Sequence, residues 1–491
     1  MNNDFYLSKS LFIRGLQCHK SLYLHKYHPE LRDEIPPSRE ALFESGHEVG
    51  IMAQRLFPGG LTIPYDPDSY DTQVALTQEA IKQGAVTLYE PAFQFNNIFV
   101  KVDILHKGKD GWGLYEVKSS TSIKDVYIPD AAVQYHVVKG SGLPVSGVFL
   151  VHINNQYVRE GDIEVDKLFT IIDVTLEVRQ MQNTIEGELD TQKTMLRGDM
   201  PRIDIGLYCR DPYDCDFIGH CWEHIPEGSV FSIKGSSKLP FTLYNRGIID
   251  LKDVPIHMLS AGQKFQVEAT LEKKVFISKA SVKDFLDSLW YPLYFLDFET
   301  FSTPIPLFDG TRPYQQVPYQ YSLHYLENKS ASLKHHEYLA PPGVDSRREL
   351  AIKLLSEIPD NACVIAYVAG FEKGILEDLA ECFPEFETKI ERIIENMADL
   401  ALPFQKRYLY HWQFNGSYSL KIVLPTLIPN LTYDNMEIQN GDMAMQAYFI
   451  MQETDDPGEI QRLKKALLEY CSLDTLGMVK LLEKLWEFCK G

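Results

Sequence analysis

At 491 residues, 45% hydrophobic and 24% charged, the chain exceeds a single hydrophobic core and has room for about two to four domains. No apolar run approaches the length that spans a bilayer, and the opening MNNDFYLSKSLF lacks the continuous apolar segment of a signal peptide, so a cytoplasmic protein with no membrane partner is expected. The formal net charge of -20 argues against indiscriminate nucleic-acid binding through overall charge, and leaves only a local basic groove assisted by bound metal cations.

In chain order, the first chemistry-bearing residue is Cys18, in RGLQCHKSLYLHKY. Its counterparts are Cys209, Cys215 and Cys221, spaced C-x5-C-x5-C in the loop YCRDPYDCDFIGHCW. Structural disulfides are not expected in a cytoplasmic chain. Three cysteines in a polar loop suggest thiolate ligation of a soft metal, with Cys18 the natural fourth ligand because no other cysteine lies in the N-terminal half. Zinc is the generic alternative for four thiolates. Cys363 and Cys471 lie in apolar elements and read as core residues.

Between these cysteines, Ile98 to Leu105 alternates as a strand carrying Asp103. The polar turn KGKDGWG follows, then LYEVKSS with Glu116 and Lys118. Turn chemistry and a period of two predict a β-hairpin that puts Glu116 and Lys118 on one face, with Asp103 across from them. In isolation such residues form surface salt bridges. Here both strands are otherwise apolar, and both lie between Cys18 and the three-cysteine loop.

On these features the first ~225 residues resemble the RecB-type PD-(D/E)xK nucleases that carry a [4Fe-4S] cluster. The resemblance implies a restriction-endonuclease-like α/β domain over residues 1–225, with Cys18, Cys209, Cys215 and Cys221 holding the cluster. It maps the hairpin motif onto Asp103, Glu116 and Lys118 and the helix after it onto Gln134 in AAVQYHVV, with Glu90 of LYEPAF at a frequently acidic position. The cysteine spacing is wider than the C-x2-C-x5-C usual in that group.

Residues 226–288 read as a helical connector. LYNRGIIDLKDVP predicts a short helix, a glycine turn at Gly247 and a second helix start, and the Lys-rich run from Leu271 to Asp284 reads as a solvated face.

The apolar run Leu293 to Thr300, LYFLDFET, ends in Asp297-Phe298-Glu299. On a strand the two carboxylates share a face, and such a pair is kept together chiefly by a divalent cation. Near the other end, Ile460 to Phe488 reads as one amphipathic helix containing YCSLD, which places Tyr470 and Asp474 one turn apart. An apolar strand ending in D-x-E, about 170 residues before a helix bearing Y-x-x-x-D, resembles the first and third motifs of DEDDy-type 3′-to-5′ exonucleases of the ribonuclease H-like fold. The resemblance implies such an α/β domain over residues 289–491. Its second motif maps onto AYVAGFEKGIL, where an apolar strand leads into a helix near Gly370. Val368 stands where Asn is usual there, and Glu372 where Asp is usual. Asp399 in MADL reads as a helix cap, and Ser419 and Lys421 as candidate backbone contacts.

The order of the two modules, together with LSKSLFIRGLQCHKSLYL and FPGG at Phe57 to Gly60, resembles a bacterial family described only as a domain of unknown function. The resemblances together imply phosphodiester hydrolysis. Asp297, Glu299 and Asp474, with Glu372 contributing, would hold Mg2+ or Mn2+ while Tyr470 orients a water. In the N-terminal module Asp103 and Glu116 would hold metal while Lys118 aligns or helps deprotonate a water, and Gln134 belongs to the same motif set. The expected partner is nucleic acid, with DNA ends or single strands in repair or defence preferred. RNA processing and a non-catalytic binding scaffold remain the alternatives.

Overall fold

The computed structural model describes residues 7–34, 37–66 and 69–490, and for residues 37–43 the backbone alone. Met1–Tyr6, part of the opening MNNDFYLSKSLF, lie outside the described residues. The architecture is mixed α/β, and no described helix is long and apolar enough to cross a membrane. Contacts divide the chain into two compact units. Unit 1 comprises Met1–His224 with Thr303–Gln315, and unit 2 comprises Ile225–Ser302 with Gln316–Gly491.

Unit 1 opens with helices α1 (Lys9–Gln17) and α2 (His19–Tyr27), which meet at Cys18. Its main sheet contains β1 (Leu61–Thr62), β2 (Thr87–Tyr89), β3 (Ile104–Lys107), β4 (Trp112–Lys118), β5 (Val145–Ile153) and β6 (Phe169–Asp173), hydrogen-bonded in that order. β3 and β4 pair antiparallel around the expected turn, and β4 pairs parallel with β5 through the crossover helix α3 (Tyr127–Gly140). α3 is buried nearly all round, as a helix roofing a sheet must be, and two of its buried residues are the polar Asp130 and Gln134.

The continuous strand expected from Ile98 to Leu105 is in fact two. Ile98–Lys101 pairs with Ala92–Phe95 in a small separate sheet, and the chain enters the main sheet only at Ile104. At the break, the Val102 N–H donates to Pro91 O (3.1 Å) and the Glu90 N–H to Asp103 O (3.0 Å). Alternation alone cannot register a strand that changes partners midway. Residues Thr303–Gln315 complete unit 1. Arg159 Nη1 donates to Pro306 O and Leu307 O (3.0 and 2.7 Å), the Gly161 N–H donates to Asp309 Oδ1 (2.9 Å), and the Tyr314 hydroxyl donates to Ser119 O.

Unit 2 takes in residues 226–288 as well as the C-terminal part of the chain. Within 226–288 the helix Lys238–Tyr244 ends before Gly247, whose φ of 78° makes the expected turn. The sheet of unit 2 runs β9-β8-β7-β10-β11, where β7 is Leu293–Phe301, β8 Val317–Leu326, β9 Lys334–Leu339, β10 Cys363–Ala366 and β11 Met397–Asp399. β7 is central, antiparallel to β8 and parallel to β10, which is why its sequence is an apolar run rather than an alternation. After β10 comes α4 (Gly370–Cys382), and after β11 come α5 (Leu420–Leu427), α6 (Gly441–Glu453) and the long α7 (Pro457–Lys490). α7 buries Leu463, Leu467, Tyr470, Asp474, Met478 and Leu481 at helical spacing. Gly477 lets α5 approach closely, since a Cβ there would lie 2.6 Å from Leu424 Cδ2.

Candidate functional site

In unit 2, the two-residue period of β7 puts Asp297 and Glu299 on one face, and α7 brings Tyr470, Cys471 and Asp474 to it. Donor atoms of Asp297, Glu299 and Cys471 lie within 4.8 Å of one another. Glu372 enters from the first turn of α4 and is 3% exposed, and its Oε2 has no hydrogen-bond partner. Burial raises every carboxyl of the group, and repulsion between neighbours adds to it at Asp297, Glu299 and Glu372. Glu299 is pushed up to about 8 by burial and Asp474, and Glu372 to about 8 by burial against its own backbone hydrogen bond. Asp297 rises well above the usual carboxylate range, through burial and then Asp474 and Glu299. Asp474 reaches only about 6, because hydrogen bonding from Tyr433 and the charge of Lys421 offset part of its burial.

Lys421 Nζ donates to the Tyr470 hydroxyl (3.0 Å), and the Tyr433 hydroxyl donates to Asp474 Oδ1 (2.5 Å). Burial and the nearby carboxylates raise the Tyr470 phenol, so it stays protonated at neutral pH. Half-buried Asp297 and buried Glu299, Asp474 and Glu372 thus act on one another electrostatically, the Lys421 ammonium offsets Glu299 and Asp474, and Glu372 Oε2 is left without a partner. This donor set fits divalent cations. Asp399, expected as a helix cap, does not occupy the cap position, which is Ala401; its Oδ1 instead accepts from the N–H groups of Val368 (2.9 Å) and Ala401 (2.8 Å) and braces the loop before α4, and its charge also raises Glu372.

Unit 1 carries a second polar cluster, nearly balanced in charge. Glu116 and Lys118 share a face of β4, with Lys118 Nζ 2.7 Å from Glu116 Oε1. Gln134 Nε2 donates to Glu116 Oε2 (2.7 Å), and Asp103 Oδ2 accepts from the Val117 N–H (2.6 Å). Two further residues, which sequence reasoning missed, complete the cluster. Lys9 Nζ of α1 lies 2.8 Å from Glu116 Oε1 and 3.7 Å from Asp130 Oδ1, and Asp130 also pairs with Lys118. Asp130 sits one helical turn before Gln134, a spacing that could have found it. Lys9 has no such signal, because its helix is remote in sequence.

Burial would raise Glu116, but the ammonium groups of Lys118 and Lys9 outweigh it and hold the carboxyl low. Burial and the Glu116 charge push Asp103 up to about 8. Lys118 is raised well above its ordinary value, its burial overcome by Glu116 and Asp130, so it stands as an ammonium ion. Glu90 is ion-paired to Lys101 (2.9 Å) and adds to the negative field at Asp103.

The four cysteines named from sequence, Cys18, Cys209, Cys215 and Cys221, line one cavity with Lys20 and Tyr208. All are free thiols. Polar contacts hold the loop to α1: Arg14 Nη2 lies 2.6 Å from Asp216 Oδ2, and Gln17 Nε2 donates to Tyr208 O (2.7 Å) and Tyr213 O (2.6 Å). Burial, more than neighbouring charge, raises the thiols of Cys18 and Cys221.

Residues 294–419, which include Asp297, Glu299 and Glu372, match the family model described as "Domain of unknown function (DUF2779)". The chain is 26% identical over 216 residues to the "Uncharacterized protein MG366 homolog" of Mycoplasma pneumoniae, a match covering 39% of this chain and 32% of that protein. It is likewise 26% identical over 237 residues to the "Uncharacterized protein MG366" of Mycoplasma genitalium, covering 44% of this chain and 35% of that protein. The chain therefore spans about a third of the length of the curated relatives it matches. Those comparisons agree with the resemblance to a bacterial domain of unknown function.

Proposed function

We propose that this chain is a divalent-metal-dependent nuclease acting on DNA ends or single strands. In this reading residues 289–491 are a ribonuclease H-like exonuclease domain, residues 1–225 a PD-(D/E)xK domain, and residues 226–288 a connector. One observation carries the reading: Asp297, Glu299, Glu372 and Asp474 are drawn together in unit 2, where Lys421 offsets part of their charge and Glu372 Oε2 is buried without a partner. The central position of β7, antiparallel on one side and parallel on the other, supports it.

Magnesium or manganese bound there would activate a water and stabilise the leaving oxygen. Asp297, Glu299, Asp474 and Glu372 would hold the cations. Tyr470, a neutral phenol fixed by Lys421, would orient the attacking water rather than take its proton. Tyr433 fixes the Asp474 carboxylate.

In unit 1, Asp103 and Glu116 would hold metal and Gln134 would fix Glu116. Lys118, as an ammonium ion, would align a phosphate oxygen or water. The four free thiols around one cavity fit a [4Fe-4S] cluster, with zinc as the alternative, and the group would tie α1 to the loop after residue 203.

The test is cleavage of end-labelled single-stranded DNA and RNA, with Mg2+ or Mn2+, by anaerobically purified protein beside Asp297→Ala and Lys118→Ala. Loss of mononucleotide release only in Asp297→Ala, and of internal or opposite-end cuts only in Lys118→Ala, would establish two working sites and name the polymer. No cleavage by folded, cluster-loaded wild type would overturn the enzyme reading and leave a binding scaffold.

A further inference from the structure

Buried cysteines ordinarily pack as small hydrophobes, and sequence alone places Cys471 in that class. Its surroundings are different. The side chain is fully buried, and its Sγ lies 3.5 Å from Asp297 Oδ2 and 3.8 Å from Asp297 O. Among the described residues, Asp297, Glu299 and Cys471 are the only three acidic, histidine or cysteine side chains with donor atoms within 4.8 Å of one another. Zinc binds carboxylate oxygen at about 2.0 Å and thiolate sulfur at about 2.3 Å, so two such ligands on a tetrahedral centre lie about 3.5 Å apart. The observed oxygen-to-sulfur separation, across which the Cys471 thiol donates a hydrogen bond to Asp297 Oδ2, equals that span, so a cation can replace the shared proton without moving either atom. A second observation is independent of the cysteine. Glu372 Oε2 is buried without a partner, and its carboxyl acts electrostatically on both Asp297 and Glu299, so the pocket they share is short of positive charge.

We propose that Cys471, with Asp297 and Glu299, forms a metal position with one sulfur donor that takes a thiophilic divalent cation, zinc or cadmium. The proposal deepens the metal-dependent reading of unit 2 and rests on it for the role of the carboxylate pair. A site of carboxylates alone favours hard cations, whereas one thiolate shifts preference toward soft ones. As the metal–sulfur bond forms, the thiol S–H bond breaks and its proton passes to the buffer, so occupancy strengthens with rising pH. A soft ion bound through Cys471 competes with magnesium for Asp297 and Glu299.

The experiment is titration of the full chain with cadmium chloride, followed by bound-metal stoichiometry and by the ultraviolet sulfur-to-cadmium charge-transfer band. The thiols of Cys18, Cys209, Cys215 and Cys221 also take cadmium, so the informative quantity is a difference between proteins. Wild type is expected to bind one equivalent more than Cys471→Ser and to show a larger band. Asp297→Asn keeps the thiol and should lose the same equivalent, so the proposal does not depend on one variant folding. Magnesium in excess should weaken that equivalent at least tenfold and leave the others unchanged.

Equal stoichiometry and equal bands in wild type and Cys471→Ser would overturn the proposal. So would loss of the equivalent in Asp297→Asn but not in Cys471→Ser, because carboxylates would then bind without sulfur. Hydrolysis is not part of the readout. A protein that binds cadmium through Cys471 yet cleaves nothing loses the nuclease reading and keeps this site, and the converse result separates the two the other way.

Discussion

Glu372 illustrates what one residue can cost. Its carboxyl is raised from the ordinary 4.5 to about 8, chiefly by burial. Between those values the folded state keeps a proton that the unfolded state gives up, so this group makes the metal-free protein less stable as pH rises from about 4.5 to 8. Glu372→Gln should flatten that fall and melt a few degrees higher than wild type above pH 8 in chelator. It should also shrink the rise in Tm that manganese gives to wild type. Thermal melts with and without manganese across this range check both effects, and a parallel pH slope in the two proteins would contradict the first. Val368 is a different cost. It is a half-exposed β-branched residue at φ 62°, where its N–H reaches Asp399, and that region costs an L-residue about 1–2 kcal/mol. Val368→Asn, which puts a residue that tolerates the left-handed region at this position, should stabilise unit 2 by about 1 kcal/mol, read as a higher urea midpoint. An unchanged or lower midpoint would show that the valine bears no strain. The carboxylates and Tyr470 were legible because the period of a strand and the turn of a helix set which side chains share a face. Lys9, Tyr433 and the orientation of Cys471 were not, because each reaches its cluster from an element whose approach is decided by packing.

Elements were most legible where one environment covers their whole length. β7 reads as a central strand because both its faces are buried, and α7 because its apolar stripe persists over many turns. The chain near Asp103 misled because one apolar stretch serves two sheets. Neighbouring strands and helices also build features that no motif announces. On β8, His324 Nδ1 lies 2.7 Å from Thr475 Oγ1 of α7, and its ring stacks on His335 of β9 at 4.2 Å. Burial, then the second imidazole, lowers His324 from 6.5 to about 4. From pH 4 to 6.5 the unfolded chain therefore binds the extra proton, so this group's stabilisation is complete above 6.5 and is lost on acidification toward 4. Relative to His324→Gln, wild type should lose about 1–2 kcal/mol across that window. Urea titrations at several pH values check it, and a constant difference between the two proteins would mean that His324 does not carry the acid sensitivity.

At the scale of the whole molecule, two compact units solve the same electrostatic problem differently. The polar cluster of unit 1 sets Lys9 and Lys118 against Glu116 and Asp130 and is nearly neutral without metal, whereas the cluster of unit 2 gathers carboxyl groups offset only by Lys421. Divalent cations should therefore stabilise the interior of unit 2 more than that of unit 1. The four cysteines would act on chain entropy instead. The proposed group, bridging Cys18 to Cys209, Cys215 and Cys221, would close a loop of roughly 200 residues in the unfolded chain and so favour the folded form. Hydrogen exchange can read both effects in one protein. Cys215→Ser should speed amide exchange at least tenfold in α1, α2 and residues 203–222, and leave β7 and α7 unchanged. Manganese added to wild type should slow exchange in β7 and in the first turn of α4. If Cys215→Ser left α1 and the loop as protected as wild type, polar contacts such as Arg14–Asp216 would suffice to hold the loop to α1, and the cysteines would serve something other than stability.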